Sequence, residues 1–215
     1  MSTRLALTAI ALLLLLPGCG STVSRIQSDS MSLDPARGLA VLAVHSRGPA
    51  WIEDLGEDAA SCATSAVAKV PKARLLKTEE FRRFVLPDNA GDEPLTRESF
   101  RSLGKDAEFQ RRATAAGIRY IVGAGGTTKQ PSPLGGCTGG GCFFVWKRDS
   151  TAWAEIIDVT GGDSVAIIHA AVSGRPFLFL TYPPMAAPSF TETWACHKLK
   201  RGLVEFLTTQ GGPRS

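Results

Sequence analysis

Nothing in this chain approaches the roughly 20 consecutive apolar residues that a bilayer-spanning helix needs. Charge of one sign is missing as well: 24 Lys and Arg stand against 20 Asp and Glu, for a net charge of +4. That excess is too small and too scattered for a nucleic-acid surface, which calls for a concentrated basic face. Metal-ligand spacing is absent too. There is no Cys-x-x-Cys and no His-x-x-x-His, and the three histidines fall at a strand end (His45), within a strand (His169) and on a helix (His197), so no metal is expected. The Gly-x-Ser-x-Gly elbow that presents a nucleophilic serine does not occur. Cys196 and His197 make no nucleophile pair, because adjacent residues on a helix point about 100° apart. Glu155 and Asp158 are separated by an odd number of positions on one strand, which puts them on opposite faces and excludes a carboxylate dyad. Gly135, Gly136, Gly139, Gly140 and Gly141 run into Phe143, Phe144 and Trp146 instead of into Gly-Lys-Ser/Thr and a helix, so they form no phosphate loop. No catalytic residue and no cofactor is therefore expected. Disorder is excluded in turn, since 44% hydrophobic residues with 20% charged lie within the globular range.

What is present begins at the amino terminus, where Arg4 precedes an apolar run over 5–16 that closes in Leu16-Pro17-Gly18-Cys19. A positive residue, a short apolar stretch and small residues at its end are the layout of a secretion signal. The Leu-x-Gly-Cys ending resembles the bacterial lipobox, which implies that residues 1–18 are removed and that Cys19 carries the acyl chains. Cleavage there would leave 197 residues (215 minus 18) with a net charge of +3, because the signal holds Arg4 and no acid. That length fits one domain. Gly20 stands where an inner-membrane retention signal would place Asp, so the resemblance implies the outer membrane, facing the periplasm.

Setting Cys19 aside leaves Cys62, Cys137, Cys142 and Cys196, an even number for a compartment that would be oxidising. Two disulfides are expected, and three pairings are open to four cysteines. The pairing of Cys137 with Cys142 is favoured because Thr138-Gly139-Gly140-Gly141 can fold a short loop back on itself. Cys62 with Cys196 follows by elimination and would tie an early helix to the last one.

The segment 19–37 is rich in Ser and polar residues and reads as a flexible tether behind the anchor. The folded body is expected over 38–210, with 211–215 as a tail. Its first element, 38–44, is a continuous apolar run and reads as a central strand covered on both faces. Ala59, Cys62, Ala66, Val67 and Val70 have helical spacing and predict a helix over 57–70 that stops at Pro71. A short strand over 73–77, a small helix from Thr78 and a loop over 87–97 follow. A second helix is best marked over 106–116, with a strand over 118–122 behind it. The Gly- and Pro-rich stretch 123–141 is expected to interrupt regular structure. Strands over 142–146, 151–159 and 165–173 come next, the last two joined by the turn Thr160-Gly161-Gly162-Asp163. Ser189-Phe190-Thr191-Glu192 fits a capping box opening a final helix to about Thr208, beside the first helix. The fold class expected is mixed α/β, a single small domain whose mixed sheet is flanked by helices.

Ala116-Gly117-Ile118-Arg119-Tyr120-Ile121-Val122-Gly123 and the Ile156-Ile157-Asp158-Val159-Thr160-Gly161-Gly162 hairpin are similar to stretches of a known small α/β domain. That domain is shared by the curli-secretion (CsgG-like) lipoproteins and the amino-terminal part of TolB, the Tol system's periplasmic propeller protein. More narrowly, Glu80-Phe81-Arg82-Arg83-Phe84, Gly139-Gly140-Gly141-Cys142-Phe143 and Ala195-Cys196 resemble uncharacterised proteobacterial lipoproteins. The resemblance implies a fold and a location and no activity. The amphipathic hairpins with which curli pores cross the outer membrane are missing.

The segment 176–188, PFLFLTYPPMAAP, is far more apolar than a solvated loop. It reads first as a strand and crossover covering the sheet, with at least one of Phe177 and Phe179 in the core and 182–185 more exposed. Its functional alternative is a patch of Phe177, Phe179, Tyr182, Pro183 and Met185 that meets an envelope protein or the lipid surface. The function expected is that of a lipid-anchored, non-catalytic binding or assembly module. The rival is an envelope hydrolase with a site scattered in sequence, which a histidine bonded to Ser or Asp in a cleft would favour.

Overall fold

The computed structural model describes residues 21–27, 33–76, 81, 94–130, 133–138, 141–180, 185–187 and 190–210. Cys19, Tyr182, Pro183, Ser189, the tail and the small helix expected from Thr78, apart from the buried Phe81, lie outside the described residues. The chain opens with β1 (Ser21–Gln27), which corrects the tether expected over 19–37. An edge strand whose apolar positions, Val23 and Ile26, neither alternate nor become buried carries no strand signal in the sequence. Strand β2 (Leu39–Ala43) is buried at every position, with Leu39, Val41 and Ala43 in one core and Ala40 and Leu42 in the other. Gly38 precedes it at φ +89°, and a Cβ there would stand 2.1 Å from the Gly117 carbonyl oxygen, so no other residue fits.

The short β3 (Ile52–Asp54) leads into α1 (Gly56–Val67), which buries Ala59, Cys62, Ala63, Ala66 and Val67 along the expected stripe. The chain returns through β4 (Leu75–Leu76), parallel to β2, completing a β-α-β unit. Two helices follow where one is expected: α2 (Arg97–Lys105) and α3 (Ala107–Ala115). Asp106 explains the break, for it ends α2 in extended conformation while its carboxylate accepts the Phe109 N–H and caps α3.

Strand β5 (Tyr120–Lys129) runs straight through the glycines expected to end it. A Cβ on Gly123 would stand 2.6 Å from the Phe100 ring, and one on Gly125 would stand 2.5 Å from the Val44 carbonyl oxygen. These glycines let α2 and the end of β2 close down on the strand. Next come β6 (Leu134–Thr138) and β7 (Gly141–Val145), then the long hairpin of β8 (Arg148–Asp158) and β9 (Asp163–Gly174). The chain finishes with β10 (Phe177–Leu180), β11 (Met185–Ala187) and α4 (Thr191–Gln210).

A mixed seven-stranded sheet runs β1-β9-β8-β5-β2-β4, with β3 also on β5. Strands β8 and β5 therefore hold the centre, and β2 lies one in from the edge. Helices α1 and α4 cover one face and α2 with α3 the other, which is the mixed α/β architecture expected. Of the segment 176–188, the described strands over 177–180 and 185–187 do not join this sheet. Strands β10 and β11 join β7 and β6 in a second, four-stranded antiparallel sheet that projects beyond the end of the first. Both disulfides are in place: Cys62 with Cys196 joins α1 to α4 with the Cα atoms 5.7 Å apart, and Cys137 with Cys142 crosses the β6–β7 hairpin at 4.0 Å.

Candidate functional site

Three clusters bear on function, and the first lies under α2. Alternation along β8 turns Trp153 and Glu155 to the α2 face, where Glu155 is fully buried. Arg97 Nε donates to one carboxylate oxygen at 3.2 Å and Arg101 Nε to the other at 2.9 Å. The Arg97 guanidinium also lies 4.5 Å from the centroid of the Trp153 ring, a cation–π contact. Asp158 faces the other way and is bound by Arg119 Nη2 at 2.7 Å and by the Thr160 N–H at 2.8 Å. The two carboxylates are thus kept apart, each saturated by its own donors, and neither is a free base.

His169 stands opposite Trp153 in the β8–β9 register. Burial pushes its imidazole below the ordinary value, Arg97 adds to that, and Glu155 opposes it. The unfolded chain therefore binds a proton more readily, starting near pH 6.5. Stability should be undiminished above that pH and fall as the pH drops towards the lower folded-state value. His169→Gln should flatten this decline, which urea midpoints measured at pH 7.5 and 5 would show; an unchanged slope would exclude His169 as its source.

The second cluster sits at the carboxyl end of β2, where α/β sheets commonly place ligands. The His45 N–H donates to the Leu95 carbonyl at 2.7 Å, which fixes the residue beside the start of α2. Its Nδ1 lies 2.6 Å from Asp54 Oδ2, and the other oxygen of Asp54 accepts the Ser46 N–H at 2.9 Å. Its Nε2 faces Glu57 Oε1 at 3.6 Å, in the first turn of α1. An oriented imidazole of this kind becomes a general base when a hydroxyl or thiol meets its second nitrogen. Here a carboxylate meets it. Sequence spacing gave no sign of this encounter, because β3 and α1 bring Asp54 and Glu57 round to His45 by tertiary folding. His197 is exposed on α4 and joins neither cluster. Among the described residues no group of three metal-ligating side chains forms, and no helix is long and apolar enough to cross a membrane.

The third cluster is one end of the main sheet. Thr128, Ser150, Val172 and Ser21 lie in one row across β5, β8, β9 and β1. The Ser150 hydroxyl links this row to α4, bonding Thr128 at 2.8 Å and Thr191 at 2.7 Å, all three residues being buried. Beyond the row stand the second sheet and a series of exposed large apolar side chains: Trp51, Leu134, Phe143, Leu180, Phe190 and Trp194. Trp51 adjoins the end of β5 through its carbonyl, which accepts the Gln130 N–H at 3.1 Å. Phe190 and Trp194 flank the start of α4. Of the expected patch, Phe177 and Phe179 lie in β10 and pair with Val145 and Phe143 of β7, while Met185 opens β11. The described part of the patch thus belongs to this end, joined by Phe143 of β7, Trp51 before β3, and Phe190 and Trp194 at the start of α4, which local sequence reading left out.

No family model matches the chain, and no curated protein matches it. Among solved structures it is similar to the PelC dodecamer from Paraburkholderia phytofirmans in two crystal forms. Each is 14% identical with a TM-score of 0.47, the match covering 88% of this chain and 99% of that one.

Proposed function

We propose that the chain is an outer-membrane-anchored envelope lipoprotein, held by acyl chains on Cys19, whose α/β domain is a binding or assembly module without catalytic machinery. The observation that carries this reading is the pairing of the titratable groups that the fold brings together. Glu155 is held by two guanidiniums, Asp158 by one, and both nitrogens of His45 face carboxylates. Such paired groups hold elements of the fold together.

A second reading, the envelope hydrolase, draws on the 2.6 Å contact between His45 and Asp54, the orienting half of a catalytic triad. It would require Glu57 to swing away and a nucleophile to replace it. His45→Asn is expected to leave any hydrolysis of ester and peptide panels by the purified protein unchanged, and loss of such an activity would favour the hydrolase.

The anchor is tested directly. Cys19→Ser should abolish incorporation of labelled lipid precursor and release the protein from the membrane fraction, because that thiol is the acyl acceptor of the lipobox. Label persisting on the Ser variant would sink the assignment.

A further inference from the structure

Six of the eight exposed large hydrophobic residues among those described, Trp51, Leu134, Phe143, Leu180, Phe190 and Trp194, gather at one end of the molecule. That end is also where the chain enters. Ser21 opens β1 in register with Val172, two residues short of the end of β9, so the anchor residue proposed above is attached beside the root of the second sheet. Two residues span at most about 7 Å, which leaves Cys19 no length to hold this end away from the membrane. We propose that this apolar end is itself a lipid-contact surface. With the acyl chains of Cys19 in the bilayer, Trp51, Trp194, Phe190 and the rim of the second sheet lie in the headgroup region.

The residue types suit that depth. Trp is enriched at membrane–water interfaces, where the ring sits among acyl chains while the indole N–H stays wet. A second contact beside an acyl chain is also what turns marginal attachment into stable attachment. Part of the charge at this end is matched within the protein, while Lys129 and Arg175 stand exposed beside it. Lys147 pairs with Asp149 at 2.9 Å, and Arg148 lies between Glu192 and Glu53. The large exposed side chains of this end are apolar, so the contact proposed is apolar in origin and does not depend on anionic lipid. The inference rests on the anchoring reading for its geometry, and its test separates the two.

The full chain, purified from membranes, would be reconstituted into phosphatidylcholine vesicles whose acyl chains carry bromine near the headgroup end, a short-range quencher of Trp emission. The chain has 4 tryptophans: Trp51 and Trp194 are exposed at this end, Trp146 is half-buried at the root of the second sheet, and Trp153, 8% exposed beneath Arg97, is the unquenched reference. Emission should drop relative to vesicles of ordinary lipid. The drop should shrink to the share of Trp146 in the variant carrying Trp51→Phe and Trp194→Phe, both exposed positions. Added salt should leave the quenching intact. A chain that carries lipid label and floats with the vesicles yet shows no quenching overturns the contact and keeps the anchor; shielding of this end by a second copy or a partner protein would give that result. A chain without label that is still quenched keeps the contact and removes the anchor, and a chain neither labelled nor quenched overturns both.

Discussion

Replacing Arg97 and Arg101 together with Met should lower the melting temperature of the protein by roughly 6 to 20 °C. Glu155 has no exposed surface, whereas the two arginines are 35% and 49% exposed. Taking away both donors strands a carboxylate inside the fold, and removing the partners of a buried charge costs about 3 to 5 kcal/mol. For a chain of this size each kcal/mol is worth about 2 to 4 °C. The reverse change is expected to be milder. Glu155→Gln keeps acceptor geometry, and the two guanidiniums, already half in water, can complete their hydration there, so a loss of about 1 to 3 kcal/mol is expected. Part of the double-variant loss belongs to the Trp153 ring, which loses the Arg97 guanidinium stacked on it. Thermal unfolding of the two variants side by side decides the matter: a larger loss for Glu155→Gln would mean that the arginines, not the carboxylate, are the groups that depend on the contact.

The second large effect is expected from opening the Cys62–Cys196 bridge by Cys62→Ala with Cys196→Ala. The bridge closes a loop with a sequence separation of 134 and ties α1 to α4, which also meet through Lys200 and the Ser65 hydroxyl. Loop-closure entropy puts its contribution near 5 kcal/mol, and measured losses for native disulfides run from about 2 to 5 kcal/mol, so melting should fall by roughly 4 to 20 °C. Opening Cys137–Cys142, whose separation is 5 and which lies in the projecting sheet, should leave the main transition nearly untouched. Alkylation without reductant, read by mass spectrometry, should modify none of these four cysteines in the wild-type protein. Two or more alkylated cysteines would overturn the pairing, and four would remove both bridges from the account of stability.

Much of the frame was legible because its signals are local. The helical spacing of Ala59, Cys62, Ala66 and Val67, the Thr160-Gly161-Gly162-Asp163 turn and the glycine loop between Cys137 and Cys142 each report on residues near them in sequence. What escaped is tertiary in origin. Strand β1 has no buried side to write a pattern into the sequence. The glycines of β5 read as a loop because their reason for being Gly, the Phe100 ring and the Val44 carbonyl, comes from elsewhere in the chain. The second sheet escaped because its neighbours are strands apart in sequence, and the apolar run 177–180 fits a covering strand as well as a projecting one. Glu155 and His45 were read without their partners for the same reason: Arg97 and Arg101 arrive on α2, and Asp54 and Glu57 on β3 and α1.

The pairing of β1 with β9 also sets an order of events in time. Ser21 meets Val172 across most of the length of the chain, so the first strand has no partner until the β8–β9 hairpin exists. Contacts of such long sequence separation form late, after the local hairpin and the β-α-β unit have collapsed. A chain made amino terminus first therefore carries an unpaired first strand while the rest is still arriving. The sheet closes only when its carboxyl-terminal half is in hand. Folding of this sheet is thereby tied to completion of the chain, and a chain truncated before β9 would leave the β1 edge exposed, where a passing strand could pair with it.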